Sequence, residues 1–332
     1  MAKPTLQEIE LAPQIPGLRF ETEHFSISVA PTLGGKITSL INKATRREFL
    51  SRTRINYRPR SYGDNFNLYE KDGADECFPS VQAVAYPTFP WQGVCVPDHG
   101  ELWTLPWKYQ LKQNRLHMWV QGVRFPYVFE RRISFEQLAR KSAPYIRLSY
   151  SVQNLSPFPF SFVYAFHPLF QVQAGCKILL PAETKVVSYC STEDRLGPPM
   201  FEHPWPNVRD VTLDKTYDRQ VIRSSRLKRA EKLFTTRLKQ GRCALKYPNG
   251  EFIGFLFPAG RLPFLGIWIS EGGLENLYHV ALEPSTAQVD RLDIAEGLKD
   301  CGLVPPNGTT EWDISLITGV GEEEMGEMLG KF

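Results

Sequence analysis

The sequence predicts an all-β sandwich formed as one domain, on three observations. Apolar and polar residues alternate along many short stretches, turn-forming clusters separate those stretches, and aromatic residues are plentiful, at 12% of 332 positions. Alternation with a period of two marks a strand with one buried and one polar face. Aromatic and β-branched residues suit strands, and 26 prolines with 24 glycines supply turns between them.

The clearest strand is carried by Ile146, Leu148, Tyr150 and Val152, which alternate with Arg147, Ser149, Ser151 and Gln153. Turn signals recur at 154–159, 197–199, 248–250, 271–273 and 305–308. Many short strands punctuated in this way indicate a sandwich or barrel. Helical patterning is confined to 322–329 and 289–299. The stretch 191–229, rich in proline and charge, reads as a long loop over one end of the sandwich or as an irregular insertion. No linker, repeat or low-complexity segment divides the chain, so residues 1–332 are taken as a single domain with 1–20 as an N-terminal extension.

Charge is nearly balanced, 39 basic against 36 acidic residues for a net +3, which gives no nucleic-acid footprint. Arg46, Arg47, Arg52, Arg54, Arg58 and Arg60 crowd one segment; the plain reading is a solvated loop face, the sharper one a patch for an anion. A second basic run, 226–229, reads as an exposed turn or edge. Six cysteines without a CxxC motif or regular spacing are expected to be free thiols. The first residues lack an apolar signal core, and no apolar run approaches the ~18 residues of a membrane span. A cytoplasmic protein without membrane or nucleic-acid partners is expected, as a monomer or homodimer.

Three stretches place a polar residue on a face of small side chains. Along 160–172, Phe160, Phe162, Tyr164 and Phe166 share a core face, opposite Ser161, Val163, Ala165 and His167. In 278–283, Tyr278, Val280 and Leu282 oppose His279, Ala281 and Glu283. In 265–270, Leu265, Ile267 and Ile269 oppose Gly266, Trp268 and Ser270, and a tryptophan between glycine and serine suits the apolar side of a sugar ring as well as a second packed layer. A fourth segment, Pro97-Asp98-His99-Gly100-Glu101, has proline before and glycine after its histidine, so it belongs to a turn or strand edge, where functional groups concentrate.

Five segments occur in order: Leu33-Gly34-Gly35-Lys36-Ile37-Thr38-Ser39-Leu40, Asp75-Glu76-Cys77-Phe78-Pro79-Ser80, Pro97-Asp98-His99-Gly100-Glu101-Leu102-Trp103, Phe166-His167-Pro168-Leu169-Phe170 and Leu282-Glu283-Pro284-Ser285-Thr286. Together they resemble the blocks of the aldose 1-epimerase, or galactose mutarotase-like, family, over roughly residues 20–320. The resemblance implies a supersandwich of antiparallel strands with few short helices and a site in a groove of the concave sheet. It implies catalytic roles for His99, His167 and Glu283. The chain departs from the family where Glu101-Leu102-Trp103 replaces an aromatic, a small residue and arginine after the His-Gly pair. The family's sugar-holding arginine has no clear counterpart, and Asp75-Glu76 stands near its expected place.

These residue types suit mutarotation, which opens a cyclic hemiacetal and closes it on the other face. A base removes the proton of the anomeric hydroxyl while an acid protonates the ring oxygen, and no cofactor is needed. Glu283 is assigned as base and His167 as imidazolium acid, with His99 at the ring-oxygen region or sharing the acid role. Asp75, Glu76, Asp98 and Trp268 are the candidate sugar-binding residues, with loop solvation and core packing as their plainer reading. Three other readings stand beside this one. A metal site from His99, Glu101 and His167 lacks the clustered spacing such sites favour. A non-catalytic sugar-binding or sensing protein would not need both histidines and the glutamate. A sugar phosphate as substrate would draw on the arginines of 46–60.

Overall fold

The alternating stretch around Ile146 is the strand Pro144–Asn154, with Ile146, Leu148, Tyr150 and Val152 all buried. It is central to the smaller of two large sheets in the computed structural model, which describes residues 3–53, 56–137 and 143–330. This eight-stranded sheet runs Lys177–Leu179, Gly241–Lys246, Glu251–Phe257, Thr309–Val320, Pro144–Asn154, Tyr127–Gln137, Arg115–Gln121 and Lys108–Lys112 among the described residues. The larger sheet has twelve strands among those residues. Its order is Thr5–Ala12, Ile15–Glu21, Phe25–Ala30, Lys36–Asn42, Ala74–Cys77, Ala165–Gln171, Tyr278–Ser285, Phe264–Glu271, Arg229–Thr235, Lys185–Ser191 and Glu202–Pro204, with Arg47–Glu48 beside Lys36–Asn42. Every strand pairing in both sheets is antiparallel.

The two sheets pack face to face through aromatic side chains, Phe166 and Phe170 of the larger against Phe255 of the smaller and Phe20 against Phe135. This is the sandwich architecture in which each strand sends alternate residues to a shared core. The segment expected as an N-terminal extension adds a hairpin to the larger sheet and buries Leu18 and Phe20 in that core. Its outer strand, Thr5–Ala12, carries Gln7, Glu8 and Glu10, charge and polarity that discourage pairing at an open edge.

Helix is scarce, as expected. Glu322–Leu329 forms one, with three glutamates in its first turn, where the helix dipole favours negative charge. It docks Met325 and Leu329 on Phe252 and Ile317. The second helical expectation shrinks to Leu292–Gly297.

Two expectations need correction. Residues 160–172 are not one strand: Phe160–Phe162 pairs with Gly302–Val304, and Ala165–Gln171 belongs to the large sheet. At the break Val163 N–H bonds to Pro79 and Tyr164 N–H to the Thr286 hydroxyl, while the aromatic face stays in the core throughout. The irregular stretch 191–229 holds a hairpin of Asn207–Asp210 and Lys215–Asp218. It is tied to the sheet by buried Arg195 and Arg219, both paired with Glu231 of the Arg229–Thr235 strand. Run 226–229 lies in a largely exposed turn entering that strand, and all six cysteines are free.

Candidate active site

Four adjacent strands of the large sheet turn a second row of side chains away from the core. Leu169 opposes Ala281, Ala281 opposes Trp268, and Trp268 opposes Lys232, so these residues share a face. His167, His279 and Glu283 lie on the same face, two residues from members of that row. The segments 66–71, 81–82, 98–99 and 290–294 wall it into a cavity of about 590 Å³. Its lining includes His99, His167, Lys232, Trp268, His279 and Asp290. The volume lies within the range of small-molecule sites.

His99 reaches the cavity from a sharp turn. Its φ is 60° and that of Gly100 is 76°, both left-handed, and the His99 N–H bonds to Val81 O at 2.6 Å. A Cβ on Gly100 would stand 2.0 Å from the carbonyl oxygen of Phe78, so only glycine can follow the histidine here. Phe66 stacks on the His99 ring with centroids 3.6 Å apart, and His167 meets that ring edge-on at 5.5 Å. Nδ1 of His99 lies 3.1 Å from Asp98 Oδ2, off line for a hydrogen bond.

His167 Nε2 lies 3.8 Å from Glu283 Oε1, too far for a direct hydrogen bond. The three residues singled out from the sequence therefore meet in one place. Each retains a buried polar atom without a partner: Nδ1 of His99, Nδ1 of His167 and Oε1 of Glu283. Such atoms cost stability and mark where a ligand can bond.

Glu283 is buried at the edge of the cavity, and its two neighbours His167 and Lys232 line it. Its Oε2 accepts from Lys232 Nζ at 2.5 Å, and that ammonium also lies 3.5 Å from Asp290 Oδ1. Burial works to lower the lysine pKa, but Asp290 and Glu283 together outweigh it and hold Lys232 charged. Gly266, opposite Glu283, leaves room for this pair, since a Cβ there would stand 3.1 Å from Glu283 Oε2 and 3.3 Å from Lys232 Cε.

This environment disfavours the imidazolium form that the acid role assigned to His167 uses. Burial, then the neighbouring His99 and Lys232, push its pKa well below the ordinary histidine value. Burial thus favours its neutral form, in which one ring nitrogen donates and the other accepts.

The remaining candidates divide. Trp268 and Asp98 line the cavity. Asp75 and Glu76 do not, and alternation along Ala74–Cys77 sends them to opposite sides, with Glu76 fully bonded and Asp75 keeping only Oδ1 without a hydrogen bond. Asp75 faces the site from behind His167, its strand partner, but Oδ2 is held by Lys36 at 2.6 Å. Glu76 points into the space between the sheets, accepting from Arg131 at 2.8 Å, Tyr150 at 3.0 Å and Tyr164 at 2.8 Å. Glu101 is likewise structural, bonded by Tyr62 and Tyr127.

The arginine segment is not one solvated face. Arg60 is buried against Glu70 and the Trp103 ring, Arg47 pairs with Glu251, and Arg52 and Arg46 are exposed. Arg54 lies outside the described residues. The sequence reading passed over Lys232, Asp290 and Phe66. A lysine between Ala230 and Phe234 on one strand face was the available signal for the first.

Among the described residues no group of three histidine, cysteine or acidic side chains could hold a metal ion, and no helix is long and apolar enough to cross a membrane. No protein-family model matches the chain, and no curated protein sequence matches it. Solved structures do. The Slr1438 protein from Synechocystis sp. PCC 6803 aligns with a TM-score of 0.66 and 16% identity, over 96% of this chain and 97% of that one. A galactose mutarotase-like protein from Lactobacillus casei ATCC 334 aligns at 0.62 and 15%, over 91% and 100%. A galactose mutarotase related enzyme from Lactobacillus acidophilus aligns at 0.64 and 16%, over 92% and 98%. At such identities the likeness speaks for the fold, and the chain has the all-β, galactose mutarotase-like fold.

Proposed function

We propose that the protein is an isomerase of the aldose 1-epimerase type, which opens the ring of a bound aldose and recloses it on either face. The observation that carries this reading is the meeting of His99, His167 and Glu283, with unpartnered atoms on all three, beside one cavity. Trp268 supplies an apolar ring face, and the cavity's polar groups supply partners for hydroxyls. Glu283, bonded to Lys232 through Oε2, accepts the proton of the anomeric hydroxyl at Oε1. His167 and the more open His99 bond to the sugar oxygens and share the protonation of the ring oxygen, a task that burial of His167 shifts toward His99.

A sugar-binding protein of the same fold is the second reading, favoured by the Lys232 contact that already occupies Oε2 of Glu283. Exchange NMR on equilibrium mixtures of aldose anomers, neutral and phosphorylated, separates the two. The isomerase reading requires cross-peaks between the anomers that grow with protein concentration. Binding without such cross-peaks for any aldose tested would transfer the protein to the second reading.

A further inference from the structure

A small aromatic cluster stands apart from the main core. Phe66, Tyr69 and Trp103 form it, all buried, and Trp103 meets Phe66 edge-on at 5.2 Å and Tyr69 at 5.4 Å. Its base is fixed from two sides. The Arg60 guanidinium lies 5.0 Å over the Trp103 ring and donates to the Trp103 carbonyl at 2.8 Å. The Trp103 indole N–H bonds to the Asp98 carbonyl at 2.9 Å. Asn65, whose side chain accepts from the Asn67 N–H at 3.0 Å, starts the short turn Phe66–Leu68 that carries the first ring. The cluster ends on His99, where the planes of the Phe66 and His99 rings differ by only 8°. Of its three members, Phe66 alone lines the cavity.

We propose that Phe66 is a positioning residue of this site, a fixed flat face that holds the His99 imidazole in one plane against the bound sugar. The proposal rests on the isomerase reading above. Rotation about the Cβ–Cγ bond of a histidine has broad preferences, so the plane of its ring is set by what touches it. Nδ1 of His99 makes no hydrogen bond, and the Phe66 face lies 3.6 Å from the ring centre. With Nδ1 buried beside Asp98, the ring meets the cavity by its outer edge. Two neutral rings prefer an offset or edge-on arrangement, with centroids about 4.5–7 Å apart. A closer, nearly centred stack suits a ring that carries positive charge, as an imidazolium donor does.

The titratable groups around that ring are Asp98, with Oδ2 3.1 Å from Nδ1, His167, centred 5.5 Å away, and Asp290. Burial works to raise the Asp98 pKa, and its contacts with His99 override this, so Asp98 faces the ring as a carboxylate. Phe66 also meets His167 edge-on at 6.5 Å, so one side chain borders both histidines. The face of Phe66 that His99 covers is closed to a sugar ring, which leaves Trp268 as the stacking surface. A role through His99 shows in turnover, whereas a direct sugar contact shows in affinity.

Exchange NMR at several aldose concentrations, on wild type, Phe66→Leu and Phe66→Tyr, reads kcat and KM separately. Phe66→Leu keeps an apolar side chain without a flat face. Its kcat should fall by ~10–10²-fold with KM little changed, and Phe66→Tyr should recover most of the lost rate. A proton spectrum of the imidazoles, with the His99 signals identified by their loss in His99→Gln, reads the stack without turnover. Those signals should be shifted upfield by the aromatic ring current in wild type and Phe66→Tyr, and stand at ordinary positions in Phe66→Leu. Wild-type kcat in Phe66→Leu overturns the proposal, as does a raised KM with kcat unchanged, which makes Phe66 a sugar contact. Ordinary His99 positions in wild type overturn it whether or not Phe66→Leu folds. If wild type exchanges no anomers, the isomerase reading fails instead, and the ring-current shift by itself decides whether Phe66 holds His99.

Discussion

Trp268 donates its indole N–H to Nε2 of His279 at 3.1 Å, across the strand pair that carries both. To accept, His279 must keep Nε2 bare and carry its proton on Nδ1. Burial, aided by the charge of Lys71, lowers its pKa to about 4 and secures that state. The bond fixes the angle of the one tryptophan that lines the cavity.

Replacing the acceptor should loosen this platform. His279→Phe removes a hydrogen bond worth ~0.5–1.5 kcal/mol. Sugar dissociation constants should rise roughly 2- to 10-fold, with a shift in tryptophan fluorescence on ligand addition. Unchanged affinity, read by calorimetry, would remove Trp268 from the binding surface.

The same histidine makes stability depend on pH. In the unfolded chain it takes up a proton near pH 6.5, whereas in the folded protein it resists until about pH 4. The unfolded state therefore binds more protons between these values, and stability falls as pH falls through that window. His167, depressed for a similar reason, acts in the same direction. Chemical denaturation at pH 4.5 should show a loss against pH 7 to which His279 alone contributes ~2 kcal/mol. In His279→Phe that contribution should vanish.

Gly266 offers a test of how closely the Glu283–Lys232 pair is held. Its φ is not left-handed, so alanine meets no backbone strain, only the atoms of those two side chains. Gly266→Ala should keep its melting temperature within a few degrees and slow anomer exchange by ~10-fold, since small misplacements of reacting groups cost rate. Gly266→Val should be slower still. A wild-type rate in the valine variant would mean that the pair tolerates displacement.

Glu76 and Arg131 predict the opposite pattern. Arg131→Met leaves the Glu76 carboxylate buried without its cation, a change that costs ~3–5 kcal/mol. Denaturant midpoints should fall accordingly, while sugar affinity of the folded fraction stays as in wild type. Loss of affinity without loss of stability would return Glu76 to the binding site.

Much of the scaffold was legible because it is local. The strand at Ile146, the helix at 322–329 and the small-residue faces bearing His167, Trp268 and Glu283 all follow from side-chain periodicity, which the backbone enforces. The break at Val163 was not, because the period-2 pattern runs through it unchanged while hydrogen-bond partners switch from one sheet to another. Arg60 read as solvated because its acceptors, Glu70 and the Leu33 and Trp103 carbonyls, are brought to it only by the fold. Lys232 was hidden for the same reason. On its own strand it is a lysine between small and aromatic neighbours, and it acquires meaning only when two strand pairings bring it to Glu283, 51 positions away in sequence.

The central claim is that Glu283, beside His99 and His167, removes the anomeric proton of a bound aldose. Exchange NMR on α and β anomers with wild type and Glu283→Gln at equal concentration tests it most directly. The account predicts catalysed exchange in wild type and a rate lower by ~10²–10⁴-fold in the variant, with the variant still folded and still binding sugar. Equal exchange by the two proteins would contradict it.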